Sequence, residues 1–189
     1  MRIIAGAYRG RTLKTTVGPG FRPAMGKVRE ALFSMLEARG VNWPEARVLD
    51  LYAGSGSLGF EALSRGAAFA CFVESAPYAA KVIAANTELL GIERERFDIR
   101  QEEAAKVLAR RPAQPFSVVF IDPPYKLDVL GHTLNTLLKN YWALPGAVIN
   151  AEVEERLPFD PERANARLSL LADRAYGQTR VILWNVNQQ

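Results

Sequence analysis

Arg47-Val48-Leu49-Asp50-Leu51-Tyr52-Ala53-Gly54-Ser55-Gly56-Ser57-Leu58-Gly59 passes from an apolar run straight into three spaced glycines. Arg47 to Leu51 reads as a buried strand, and Leu58 to Ser64 as a helix that Gly66 ends. Gly54, Gly56 and Gly59 satisfy G-x-G-x-x-G, and Glu74 stands twenty residues beyond Gly54 at the end of the next apolar run. Glycines here let the backbone pass close to a ligand, and a helix start offers amide donors.

Strand and helix go on alternating beyond this unit. Ala70 to Glu74 reads as a strand, Tyr78 to Leu90 as a helix ended by Gly91, and Phe97 to Arg100 as a short strand. A helix over Glu102 to Arg110, a strand over Phe116 to Ile121, a helix over Val129 to Asn140 and a strand over Ala147 to Glu152 follow. Leu168 to Tyr176 and Thr179 to Asn187 flank Gly177-Gln178 as a hairpin. The pattern predicts an α/β fold, a doubly wound, mostly parallel seven-stranded sheet with an antiparallel C-terminal hairpin at one edge. Before it, residues 1–14 alternate around Gly6 and Gly10 like a small hairpin. Val28, Ala31, Leu32, Met35 and Leu36 recur at helical spacing between Ala24 and Arg39. This divides the chain into a basic N-terminal extension, residues 1–23, and one main domain, residues 24–189.

The glycine loop announces an adenosine-type cofactor, either NAD or S-adenosylmethionine, with a ligand-free tight turn as the plain alternative. Asp50 at the head of the loop favours S-adenosylmethionine, because an acid pairs with a methionine ammonium and repels a pyrophosphate. Asp50, Tyr52, Gly54, Ser55, Gly56 and Glu74, together with Asp122 further along the chain, are the candidate cofactor residues, with Glu74 set to accept from both ribose hydroxyls. The sole histidine, His132, lies in a predicted helix, so nothing resembles a hydride-transfer site.

A second signal ends the fourth strand. Phe116, Val118, Val119, Phe120 and Ile121 lead into Asp122-Pro123-Pro124-Tyr125. In a doubly wound sheet ligands bind outside the carboxyl ends of the strands, where strand order reverses. Asp122 is therefore expected to face the glycine loop across one cleft. Its carboxylate and the Pro123 carbonyl suit an exocyclic amine on a nitrogen base, aligning its lone pair for attack, and Tyr125 suits stacking on the ring. Asp122, Pro123 and Tyr125 are the candidate catalytic residues. An Asp-Pro turn with a packing tyrosine is the reading without function.

Composition bounds the remainder. The 189 residues, 49% hydrophobic and 23% charged, describe one globular domain, and no apolar run approaches the ~20 residues of a membrane span. A single cysteine, Cys71, excludes an internal disulfide and fits a reducing cytoplasm, and one histidine leaves no metal cluster to expect. The net charge of +4 is uneven, because Arg2, Arg9, Arg11, Lys14, Arg22, Lys27 and Arg29 all precede the first acid, Glu30. Taking those seven from +4 leaves residues 30–189 at −3. Such a block is an electrostatic footprint for a polyanion, or else a solvated basic face.

Taken together, these motifs resemble class I S-adenosylmethionine-dependent methyltransferases with a Rossmann-like sheet. The match narrows with Met1-Arg2-Ile3-Ile4-Ala5-Gly6, Arg9-Gly10-Arg11, Arg22-Pro23, Val28-Arg29-Glu30-Ala31-Leu32-Phe33, Glu61-Ala62-Leu63-Ser64-Arg65-Gly66 and Phe120-Ile121-Asp122-Pro123-Pro124-Tyr125. Along essentially its full length the chain is similar to the RsmD family of 16S rRNA guanine-N2 methyltransferases. That resemblance implies methylation of a guanine 2-amino group in small-subunit rRNA within a 30S subunit or its assembly intermediate. It also implies RNA contact by the basic block. Where the family has an adenine-binding Asn or Asp after strand three, this chain has Glu103 followed by Ala104, and a carboxylate can still accept from the adenine amine. The chain departs from the family at Ala24, Gly26 and Ala76. A cytoplasmic monomer without metal is the expectation.

Three rivals remain at the level of sequence. A DNA adenine-N6 methyltransferase shares the tip but needs a recognition domain, for which there is little room. A protein glutamine methyltransferase more typically has Asn where Asp122 stands. A non-catalytic RNA-binding module would bind RNA indifferently to Asp122.

Overall fold

A computed structural model describes residues 1–16, 23–123 and 129–188. The order of elements is α1 (Pro23–Ala38), β1 (Arg47–Leu51), α2 (Ser57–Ser64), β2 (Phe69–Val73), α3 (Pro77–Leu90), β3 (Phe97–Arg100), α4 (Ala104–Leu108), β4 (Phe116–Ile121), α5 (Val129–Lys139), β5 (Ala143–Glu154), β6 (Leu168–Tyr176) and β7 (Thr179–Val186). The seven strands form one sheet in the order β3-β2-β1-β4-β5-β7-β6. The first five are parallel, and β7 pairs antiparallel with both β5 and β6. The order reverses between β1 and β4, so the expected switch point is where the glycine loop and Asp122 emerge.

Strand composition follows burial. Val48, Leu49 and Leu51 in β1, and Val118 to Ile121 in β4, are apolar on both faces because helices cover both. One face carries α1, α2 and α3 with the N-terminal arm, in a core containing Phe33, Phe60, Phe72 and Phe120. The other carries α4 and α5 around Leu134, Leu137, Trp142 and Trp184. Phe33 lies 5.7 Å from Phe120, ring to ring, and 5.4 Å from Trp43, locking α1 onto β4. Each such aromatic pair is worth roughly 0.5–1.5 kcal/mol beyond the buried area. Helix α3 begins with Pro77, whose missing amide costs nothing there, and ends with Gly91 in the left-handed conformation.

Three elements differ from their sequence reading. Helix α4 is shorter than 102–110, since Glu103 stands outside it in extended conformation. Strand β5 starts earlier, at Ala143, and its pairing with β4 shifts register between Phe116 and Val118 across the exposed Pro145-Gly146. The arm makes a single bridge, Arg2 to Thr12, rather than a regular hairpin. The Ile4, Ala5, Ala7 and Tyr8 amides donate to Glu61 and Ser64 of α2, and Gly6 lies so close that a Cβ there would meet the Ser64 carbonyl oxygen at 1.8 Å. Ile3 and Leu13 join the same core as α1 and α2, so residues 1–16 pack as part of the main body.

Candidate active site

Each of four neighbouring parallel strands delivers a carboxylate at its carboxyl end: Asp50 from β1, Glu74 after β2, Asp122 after β4 and Glu152 in β5. A cleft of about 160 Å3 is lined by two of them, Asp122 and Glu152, while Asp50 and Glu74 stand behind its wall. Its lining takes Tyr52, Gly54, Ser55 and Ser57 from the glycine loop, with Asp122, Glu152 and Arg29 opposite. The cleft thus brings together the loop and the strand-four tip. Pro123 is buried beside Asp122, while Pro124 and Tyr125 lie outside the described residues.

The loop is shaped by its own acids. The Gly54 amide donates to Glu74 Oε2 and the Ala76 amide to Oε1, both at 2.8 Å. These two bonds fix the Glu74 carboxylate and leave each oxygen a further lone pair for a hydroxyl. The Gly59 amide donates to Asp50 Oδ2 at 2.9 Å, in a residue only 2% exposed. Gly59 admits no side chain, since a Cβ would stand 2.3 Å from the Phe72 ring. Tyr52 holds φ of 60°, a strained value for a residue with a Cβ, and its hydroxyl is 2.9 Å from Thr133 Oγ1. That bond anchors the ring under the loop.

The electrostatics are those of crowded acids. Burial pushes Asp50 well up, the Gly59 amide opposes it, and Asp122, Glu152 and Glu74 add to the rise. Asp122 touches water on the cleft side, yet the protein walls around it raise its carboxyl to about 6. Glu152 is pushed up to about 8 by burial and by Asp122, against the pull of Arg29. A group of four carboxylates around the loop, with Arg29 facing it, suits a ligand carrying positive charge and hydroxyl groups.

Glu103 and Ala104 sit at the start of α4. Glu103 is exposed, 3.3 Å from Lys106 Nζ, and Ala104 is buried; neither lines the cleft.

The basic block divides in two. Arg2, Arg9, Arg11, Lys14 and Lys27 are exposed, and Arg22 lies outside the described residues. Arg2, Arg9 and Lys27 line a surface recess of about 570 Å3 between the arm and α1. Arg11 donates to the Leu89 carbonyl at 2.6 Å. Arg29 corrects the sequence reading of a surface contact. It is 6% exposed, donates to the Arg2 carbonyl and to Met1 Sδ, and approaches Glu61 at 3.9 Å. It faces inward because α1 lays this turn against the arm and α2.

Sequence reasoning missed Glu61, Asn86 and Glu152. Glu61 accepts from the Ile4 and Ala5 amides, and Asn86 both donates to and accepts from the Lys14 backbone. Neither carries a sequence signal, since both read as ordinary positions on amphipathic helices. Glu152 did carry one: it is the fourth acid in a series of strand ends.

A family model described as "Conserved hypothetical protein 95" matches residues 1–185. The chain is 37% identical over 191 residues to "Ribosomal RNA small subunit methyltransferase D" of Escherichia coli (strain K12), covering 100% of this chain and 91% of that one. It is 35% identical over 186 residues to "Putative rRNA methyltransferase YlbH" of Bacillus subtilis (strain 168), covering 97% and 98%. Among solved structures, "Putative methyltransferase yhhF from Escherichia coli" superposes with a TM-score of 0.86 at 34% identity, over 100% of this chain and 99% of that chain.

Proposed function

This chain belongs to the conserved hypothetical protein 95 family, and on that premise we propose that it transfers a methyl group from S-adenosylmethionine to N2 of a guanine in small-subunit (16S) rRNA, in the cytoplasm and as a monomer. The single observation that carries the reading is the shared cleft: the glycine loop through Tyr52, Gly54 and Ser55 on one side, Asp122 on the other, with Glu74 and Asp50 bonded to the loop backbone at Gly54 and Gly59. Relatives named as rRNA methyltransferases over the full chain supply the substrate class.

The donor set fits the cofactor. Asp50 offers a buried carboxylate oxygen to an ammonium, Glu74 offers two lone pairs to ribose hydroxyls, and Gly54 to Gly56 admit close backbone approach. Bound S-adenosylmethionine supplies an electrophilic methyl on a sulfonium. On the protein side, Asp122 and the Pro123 carbonyl accept the two N–H groups of the amine. This localises a lone pair otherwise delocalised into the ring and aims it at the methyl carbon. The N–C bond forms as the S–C bond breaks, and the surplus proton leaves the nitrogen for Asp122 or water. Tyr125 stacks on the base, and the exposed cations of residues 1–23, with Lys27, hold the RNA backbone. Residues 24–189 carry the chemistry.

Incubating the protein with labelled S-adenosylmethionine and 30S subunits from a strain lacking it tests the proposal. One guanine, labelled on N2, is expected on mapping. Label on an adenine, on protein or nowhere overturns it.

A further inference from the structure

Glu152 has no side-chain hydrogen bond among the described residues, although it lines the cleft beside Asp122. Strands β4 and β5 are parallel with Ile121 opposite Ala151, so Asp122 and Glu152 follow at matching positions on neighbouring strands. Asp50, Phe120 and Asn150 share one row across the sheet, and Asp122 and Glu152 stand two residues further along, on the same face. That face is the one under α1, and Arg29 lines the same cleft and pulls on the Glu152 charge. A base held by Asp122 therefore lies against a second carboxyl group, about one strand spacing away. That spacing, ~4.8 Å, is on the order of the width of a purine's hydrogen-bonding edge.

We propose that Glu152 is a specificity-determining residue, which reads the N1–H and O6 groups of the base whose 2-amino group Asp122 holds. The inference rests on the guanine-N2 reading above. Along the guanine edge the order is N2–H, N1–H, O6. Once Asp122 and the Pro123 carbonyl take the amine, the next group on the edge is a donor and the one after it an acceptor. A protonated carboxyl matches both, accepting from N1–H through one oxygen and donating to O6 through the other. Burial and the neighbouring Asp122, which raise Glu152 to about 8, keep that proton in place near neutrality. Adenine held by its amine presents the N1 lone pair where guanine has N1–H and a C2–H where guanine has O6, so the carbonyl oxygen of Glu152 meets an acceptor and its hydroxyl a C–H, and neither bond forms. A site built to hydrogen-bond a group rejects the analogue that lacks it.

The experiment crosses a residue change with a base change. Wild type, Glu152→Ala and Glu152→Gln are assayed on reconstituted subunits carrying guanine or 2-aminopurine at the mapped target. 2-Aminopurine keeps the reacting amine but lacks N1–H and O6. Glu152→Ala is expected to lower kcat/KM on guanine by about ten- to a hundredfold. Glu152→Gln, whose amide presents the same acceptor and donor, stays within a few fold of wild type. On 2-aminopurine all three proteins perform alike. Equal losses for Glu152→Ala on both bases, or no rescue by Gln, overturn the inference and leave Glu152 a packing residue. Absence of methyl transfer to guanine by the wild type overturns the underlying reading instead. Thermal melts of the variants, expected to be no lower than wild type, separate folding failure from either result.

Discussion

Two glutamates, Glu61 buried and Glu152 half-buried, face the same arginine and have opposite surroundings. Glu61, 1% exposed on α2, accepts from the Ile4 amide at 2.8 Å, the Ala5 amide at 3.1 Å and Arg65 Nε at 3.0 Å, with Arg29 Nε at 3.9 Å. Glu152, near the end of β5, has Arg29 as a favourable charge and Asp122 as an unfavourable one among the described residues. The first is engaged by two arm amides and by Arg65 and Arg29, and the second lines the cleft. A buried carboxylate with a full set of donors is a joint; one without them is poised to meet a ligand. The arm and the cleft are thus built from the same residue type used in two ways.

The largest effect is expected at the joint. Glu61→Ala leaves Arg29 and Arg65 without their shared partner and the Ile4 and Ala5 amides without acceptors. Breaking a buried pair from one side costs about 3–5 kcal/mol, readable by urea unfolding. A loss below about 1 kcal/mol would mean that Ile3 and Leu13 hold the arm unaided, and the contrast with Glu152 would collapse. Next comes Asp122→Ala, the reverse case. Turnover is expected to fall roughly a hundred- to a thousandfold, while S-adenosylmethionine affinity, measured by calorimetry, stays within a few fold and unfolding stability does not drop. Normal turnover would remove Asp122 from the mechanism.

A smaller effect separates the two acids by pH. In the unfolded chain Glu152 ionises near its ordinary 4.5, and in the folded protein near 8. Between those values the folded state binds more protons than the unfolded one, so stability falls as pH rises. Below about 4.5 both states are protonated and the effect vanishes; above about 8 the loss is complete. Asp122, raised from 3.8 to about 6, adds the same sign over a lower window. Glu152→Gln abolishes its share, so its melting temperature should exceed wild type by a margin that widens between about pH 5 and about pH 8.5. A constant margin would show that Asp50, Glu74, Asp122 and Arg29 around it already absorb the charge.

The frame of the sheet was legible because its signals are local. The bounds of β1, β3, β4 and β6 match the sequence reading to the residue, and Gly91 closes α3 where a left-handed residue is needed. The G-x-G-x-x-G loop with Asp50 and the Asp122 tip likewise sit in short segments whose meaning depends on order alone. Arg29 was misread for the opposite reason. Its position in a cationic series says surface, and only the docking of α1 against the arm and α2 turns it inward. Glu61 and Asn86 fail the same way, since their partners lie 57 and 72 residues away in sequence. Glu152 is the intermediate case: its place at a strand end was readable, and its pairing with Asp122 required the β4–β5 register.

The smallest effect probes the outer surface of the arm, where the contrast is between exposed and internal cations. Arg2, Arg9 and Lys27 surround the recess against α1 and have their charge in water, whereas Arg11 donates to the carboxyl end of α3 and Arg29 is buried. If RNA phosphates are held by the first group, each Ala substitution there releases fewer counterions on binding. The slope of log affinity against log salt should then drop by about 0.7–0.9 per lost contact, with a few-fold loss of affinity at moderate salt. Arg11→Ala should move the slope less, because its guanidinium is already engaged by Leu89. Filter binding of small-subunit RNA at several salt concentrations reads both. Should Arg11→Ala change the slope as much as Arg9→Ala, the RNA path runs toward α3 rather than across the recess. The joint at Glu61 would then position the far edge of the arm for binding, not the near one.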